Sequence, residues 1–200
     1  FCYDKTLPTL SSITTNALSY TGDNIYYTNQ DSITVYINGP SDSLSGVKSA
    51  STVYAWFLPE GVNSWQGSHE YYTATYDSAN NRYYVTFNLS SAKNTSTGQT
   101  NQGEGRYVIC ANIIDNAGNH LQATKTVIYD TTPPTATGMT LSKTYTNTGK
   151  TTATALGVSD DLSGIYNVYW SIRNPDGSER MDRGPSTGEW YKDIDISMLE

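Results

Sequence analysis

Apolar residues along this chain come in short bursts with a period of two. Within Ser32–Asn38, Ile33, Val35 and Ile37 alternate with Thr34 and Tyr36. Tyr83, Val85 and Phe87 repeat the pattern, and Tyr107, Ile109, Ala111 and Ile113 extend it. A strand sends successive side chains to opposite faces, so each set predicts one buried face. Clusters of turn formers separate the bursts, as in Asp77–Asn81 (DSANN) and Asp115–Asn119 (DNAGN). The pattern predicts strands A near Leu10–Thr15, B at Ser32–Asn38, C at Thr52–Leu58 and D at Glu70–Tyr76. E follows at Arg82–Leu89, F at Arg106–Ile114 and G at Leu121–Tyr129. No stretch shows the 3.6-residue apolar period and caps of a helix. Seven short strands in one run predict an all-β antiparallel sandwich. In F, Val108, Cys110 and Asn112 fall on the face opposite Tyr107. Tyr107 itself follows Gly105, where sandwiches often place a corner tyrosine.

The pattern is written twice. Tyr27–Val47 aligns without gaps on Tyr145–Ile165, 118 positions on, and ten of the 21 positions are identical. They include Tyr27, Asn29, Gly39, Asp42, Leu44 and Gly46. Upstream, Tyr3–Thr9 (YDKTLPT) mirrors Tyr129–Thr135 (YDTTPPT), 126 positions on. The two spacings differ by eight, which implies an insertion in the first copy at roughly Ala17–Asn24. Val53–Gly61 echoes Val168–Gly177, and Arg82–Ser91 weakly echoes Glu189–Met198. Tandem modules are the expected organisation. Residues 1–7 read as the tail of a preceding repeat and its linker, 8–130 as a first sandwich, and 131–200 as a second. The second is expected to lack its last two strands, either by truncation or because another copy supplies them by strand addition.

Composition narrows the function. Charged residues make up only 16 % of the chain, and 17 of its 24 aromatic residues are tyrosine. The net charge of −7 argues against the phosphate backbone of nucleic acid as a partner and favours divalent cations. No apolar run approaches the length of a membrane-spanning helix. His69 and His120 are the only histidines, and no nucleophile elbow or zinc-protease motif accompanies them. No enzymatic activity is expected. Cys2 and Cys110 have no metal-ligand spacing and are expected to be unpaired.

The segment Gly105–Pro134, GRYVICANIIDNAGNHLQATKTVIYDTTPP, resembles the closing hairpin and linker of bacterial immunoglobulin-like repeat domains. Their recurring pattern is a Gly-x-Tyr strand, an Asp-x-Ala-Gly-Asn turn, a last strand and Asp-x-Thr-Pro-Pro. The Asp-x-x-Ser-Gly turn after strand B, Asp42–Gly46 here, also fits these repeats. The resemblance covers about 130 residues well and the second copy partly. It implies an extracellular location at a bacterial cell surface or wall, and a non-enzymatic stalk or fibre module with a role in adhesion. Such modules also occur in secreted wall enzymes, so an alternative is a glycan- or ligand-binding module. Expected partners are neighbouring repeats, and a host or cell-surface protein or glycan.

In a seven-strand sandwich the incoming linker, the B–C turn and the F–G turn share one pole. That places Asp4, Asp42, Asp115, Asn116 and Asn119 together, with Asp130, Asp160 and Asp161 at the matching pole of the second copy. These are hard oxygen ligands of the kind Ca2+ takes, so a structural Ca2+ is the candidate cofactor. The competing reading is that Asp and Asn only make their own turns, through side-chain to backbone hydrogen bonds. The aromatic residues Tyr26, Tyr27, Trp65, Tyr71, Tyr72, Trp170 and Trp190 are candidates for sugar stacking. Trp65, Tyr71 and Tyr72 are the preferred ligand-binding set, against a reading as ordinary core and surface residues.

Overall fold

The computed structural model describes residues 3–19, 25–48, 51–57, 71–91, 103–144, 149–173, 176–186 and 191–195. Residues 51–57, 172–173, 179–186 and 191–195 are described through their backbone. The chain divides into two compact units, Phe1–Thr131 and Thr132–Glu200.

Nine strands build the first unit. They are β1 (Ser12–Thr15), β2 (Leu18–Ser19), β3 (Ile25–Thr28), β4 (Ser32–Asn38), β5 (Ser51–Phe57), β6 (Tyr72–Asp77), β7 (Arg82–Asn88), β8 (Gly105–Ile114) and β9 (His120–Tyr129). A single 3-10 turn, Leu89–Ser91, is the one helical element among the described residues. The hydrogen-bonded order is β1-β4-β7-β6-β5-β8-β9-β3-β2. The ribbon folds over where β6 pairs β5, so β1-β4-β7-β6 faces β5-β8-β9-β3 across one core. That core joins Ile13, Ile33, Val35, Ile37, Tyr83 and Phe87 of the first layer to Tyr107, Ile109, Ala111, Ile113 and Val127 of the second. The alternating sets expected to be buried are buried, with Val85 half-covered. The chain is thus an all-β protein of antiparallel sheets, and this unit is a β-sandwich.

Strand B matches β4 in full, and the other six expected strands fall within two residues of those observed. Two strands were not expected. The segment read as an insertion forms β2 and leads into β3, and β3 pairs β9 in parallel, Ile25 opposite Thr126 through Thr28 opposite Tyr129. Cys110 is buried on the face of β8 opposite Tyr107, where Val108 and Asn112 are half-buried. Its thiol donates to the Ala111 carbonyl at 3.9 Å, and Cys2 lies outside the described residues. The Tyr107 hydroxyl donates to the Gly103 carbonyl at 2.6 Å, which is the corner tyrosine in place. Burial, with the Asp31 charge second, pushes the Tyr107 phenol well above its ordinary range.

The second unit pairs β10 (Gly138–Leu141), β11 (Lys150–Leu156) and β14 (Tyr191–Asp195) in one sheet, and β12 (Val168–Arg173) with β13 (Glu179–Ser186) in another. Ala153 and Trp170 are its described buried apolar residues. Two local arrangements of the first unit recur here. Thr9 and Ser41 exchange backbone hydrogen bonds of 2.7 and 2.9 Å, and Thr135 and Ser159 exchange 2.8 and 3.0 Å. Thr34 opposes Thr86 in the first unit, and Thr152 opposes Asp193 in the second. That register is the one the weak echo between Arg82–Ser91 and Glu189–Met198 requires.

Candidate metal centre

Three chain segments meet at one end of the first sandwich. The entering segment carries Asp4, the β4–β5 connection carries Asp42, and the β8–β9 turn carries Asp115. Each fold locally for its own reason. Asp4 accepts hydrogen bonds on Oδ1 from the Thr6 N–H, at 2.9 Å, and from the Thr6 hydroxyl. Asp42 accepts on Oδ1 from the N–H groups of Leu44 (3.1 Å), Ser45 (2.8 Å) and Gly46 (2.9 Å), closing the turn around one oxygen. Asp115 accepts on Oδ1 from the Asn119 N–H (2.8 Å) and on Oδ2 from the Asn119 amide (2.7 Å). The two Asn residues then tie the segments together. Asn116 donates its side-chain amide to the Ser45 carbonyl at 2.9 Å, and its N–H to the Gly46 carbonyl at 2.9 Å. Asn119 donates to the Asp4 carbonyl at 3.3 Å.

The result is a cluster in which Asp4, Asp42 and Asp115 each bring one carboxylate oxygen within 4.8 Å of the others. Asp115 is 1 % exposed and Asp4 9 %. The Asp4 carboxyl is held below its usual range by the Thr6 hydroxyl first and by Ser45 second. The Ser45 groups nevertheless direct their bonds to Asp42, the N–H at 2.8 Å and the hydroxyl at 3.3 Å, and Asp4 Oδ2 is buried without a hydrogen-bond partner. Burial pushes the Asp115 carboxyl up, but the Asn119 and Gly118 donors outweigh it and bring it below its usual range. The Asp4 charge acts on Asp115 in the opposite sense, as a like charge must. A buried, unpartnered carboxylate oxygen on one of three clustered aspartates is a position a hard divalent cation would satisfy. Side-chain oxygens of Asp4, Asp42 and Asp115 would hold it.

Of the other residues expected at such poles, Asn116 and Asn119 work as donors that brace the loops. Asp130 closes the first unit, buried, its N–H donating to the Thr28 carbonyl at 2.9 Å. Asp160 belongs to the second unit and repeats the Asp42 turn, accepting from Leu162 (3.2 Å), Ser163 (2.8 Å) and Gly164 (2.8 Å). Asp161 is exposed beside it. The side-chain donors to Asp4, Asp42 and Asp115 are Thr6, Ser45 and Asn119. Thr6 is signalled in the sequence by its place two residues after Asp4, the spacing of a side-chain-capped turn.

The described aromatic candidates take different places in the fold. Trp65 and Trp190 lie outside the described residues. Tyr71 is 54 % exposed, whereas the Tyr72 ring stacks on core Phe87 with centroids 4.5 Å apart. Tyr26 packs against the core, and Trp170 is buried with Ala153 in the second unit. His120 opens β9 at an exposed position, and His69 lies outside the described residues.

No known family model matches the chain, and no curated protein matches it. Among solved structures it is similar to a crystal structure of a tetra-tandem repeat in the extending region of a large adhesion protein, with 14 % identity and a TM-score of 0.34. It is also similar to a Ca2+-stabilized adhesin that helps an Antarctic bacterium reach out and bind ice, with 19 % identity and a TM-score of 0.37. Each match covers 96 % of this chain and 42 % of the other, so the chain spans less than half the length of either.

Proposed function

We propose that this chain is a non-enzymatic structural module of a bacterial cell-surface protein, part of an extracellular stalk or fibre used in adhesion. Its sandwiches are immunoglobulin-like repeats, and Ca2+ stiffens the pole where the chain enters. What supports the immunoglobulin-like reading is the strand order. β1-β4-β7-β6 opposite β5-β8-β9 follows the A-B-E-D and C-F-G layers of that architecture, with its corner tyrosine. The repeat argues for an array, since the same corner is built twice from the same residues. The observation that carries the cation is the buried Oδ2 of Asp4, left without a donor beside Asp42 and Asp115. A cation there ties the entering segment to both loops and restricts how that segment can swing.

Thermal unfolding of the full chain with Ca2+ or with a chelator tests this. Ligand that binds only the folded state stabilises by mass action. At Ca2+ concentrations far above the dissociation constant the first unit's midpoint rises by several degrees. Asp4→Asn combined with Asp115→Asn removes that rise. A midpoint indifferent to Ca2+ and chelator would overturn the cation part of the proposal.

A further inference from the structure

The outer face of the β4–β7 pair carries a second feature, remote in kind from the acidic pole. Thr34, Tyr36, Arg82, Tyr84 and Thr86 alternate with the buried residues of the two strands and point outward. Tyr36 lies directly opposite Tyr84, and Thr34 opposite Thr86. These residues, with Tyr76 and the β6–β7 turn from Asp77 to Ala79, line an open cleft of about 600 Å3. That volume is in the range of small-ligand sites. Thr34 to Asn38 spans about 13 Å at strand rise, so the cleft runs along the strands rather than into the core.

Its chemistry is specific. Tyr84 is 39 % exposed on this outer face, whereas Tyr76, opposite Tyr83, sets its ring 4.9 Å from that core ring. The Arg82 guanidinium lies 4.4 Å from the Tyr36 ring centroid, and its Nε donates to Asp77 Oδ2 at 3.0 Å. Asn80 donates to the same Asp77 oxygen at 2.8 Å. The Asn80 and Arg82 bonds hold the Asp77 carboxyl below its usual range, Asn80 first. The ion pair cancels the charge at this end of the cleft, so nothing there selects a phosphate or a carboxylate. Thr34 and Thr86 bond each other through their hydroxyls at 2.8 Å at the other end. Between the two ends lie paired tyrosine rings, apolar on their faces and polar at their tips.

We propose that this face binds a neutral oligosaccharide laid along β4 and β7. Sugar rings present C–H surfaces to aromatic faces and hydroxyls to planar donors and acceptors. Tyr84 supplies the first contact, and Arg82, stacked over the Tyr36 ring, Asp77 and the threonine hydroxyls supply the second. The absence of net charge in the cleft separates this ligand from an anionic polymer. Its position within the sheet, with β1 outside β4 and β6 outside β7, separates it from an added peptide strand, which needs a free edge. The site does not depend on the cation or on the stalk reading, and Tyr71 and Tyr72 do not line it.

Affinity electrophoresis of the 200-residue chain tests the proposal, in gels containing a soluble β-glucan, a galactomannan, a xylan or polygalacturonate. A glycan array of neutral oligosaccharides widens the set. The expected result is retardation or array binding by at least one neutral glycan. Polygalacturonate should bind no better. Tyr84→Ala lowers the affinity about tenfold or more, Tyr84→Phe keeps most of it, and Tyr71→Ala leaves it unchanged. Circular dichroism of each variant checks that the sandwich is intact, and Tyr84 is the variant of choice because it is exposed. No binding to any neutral glycan, preferential binding to polygalacturonate, or unchanged binding in folded Tyr84→Ala would overturn the proposal.

Discussion

Gly39 sets the corner that the sequence repeats, and a single methyl group there has a calculable consequence. Its φ is +58°, and its N–H donates to the Asn81 carbonyl at 2.9 Å. A Cβ at this position would overlap the Ser11 Oγ and come within 3.1 Å of the Ser11 Cβ. A left-handed alanine costs about 1–2 kcal/mol, offset by about 0.4–1 kcal/mol because alanine restricts the unfolded chain. Pushing Ser11 off its rotamer adds about 0.5–1.5 kcal/mol. Gly39→Ala is therefore expected to destabilise the first unit by about 2 kcal/mol. Gly103 supplies the control: its φ is +61°, and nothing lies within 4 Å of an added Cβ. Gly103→Ala should show only the backbone part, about 1 kcal/mol. Hydrogen exchange of the most protected β4 and β8 amides reads the opening energy of this unit separately from the other. The excess of Gly39→Ala over Gly103→Ala should vanish in a Ser11→Gly background, as a double-mutant cycle requires of a contact. If the excess is absent, or survives Ser11→Gly, the steric account of the corner is wrong.

Four further outcomes are expected. Tyr107→Phe keeps the buried ring and loses one hydrogen bond to Gly103, so it should lower stability by about 1 kcal/mol with an unchanged urea m-value. A loss above about 3 kcal/mol would mean the ring had repacked. The carboxyls of Asp4, Asp115 and Asp160 are lowered in the folded protein, so the unfolded chain takes up protons first as pH falls. Their stabilisation is complete above about pH 5 and is lost progressively below the ordinary carboxylate range near 4. A urea midpoint that rises between pH 5 and 3 would contradict that sign. The Ca2+ dependence of melting, removed by Asp4→Asn with Asp115→Asn, and the loss of glycan binding in Tyr84→Ala complete the set.

What was legible in the sequence follows from what each signal physically reports. Period-two alternation reports burial on one face, so β4, β7 and β8 and their core residues were readable. The entry and turn aspartates were readable because strand direction fixes which connections share an end. Alternation says nothing of pairing along an edge. β3 is a four-residue stretch, Ile25–Thr28, half-buried throughout, and its parallel bond to β9 is absent from any local pattern. Adjacency in sequence says little of which aromatic residue faces solvent. Tyr71, just before β6, is exposed, and Tyr72, which opens it, stacks on Phe87. Tyr36 and Tyr84 are 48 residues apart and meet only through the β4–β7 register, which no single burst of the sequence discloses.

The repeated Ser-Asp-x-Leu-Ser-Gly turn joins these strands of reasoning. Metal ligand and turn former stood as competing roles for Asp42. A carboxylate has two oxygens, and here the turn uses one of them: every turn bond to Asp42 runs to Oδ1. Asp160 repeats the arrangement, again through Oδ1, with Gly164 at φ +72° where Gly46 has +75°. Making the turn and facing a cation are therefore compatible in one residue. The turn also fixes the carboxylate before any ion arrives, so binding would order little that is not already ordered. The same logic explains why the turn tolerates being written twice. Its side-chain-capped geometry closes within six residues, and both copies share the backbone bridge of the first serine, Ser41 to Thr9 or Ser159 to Thr135.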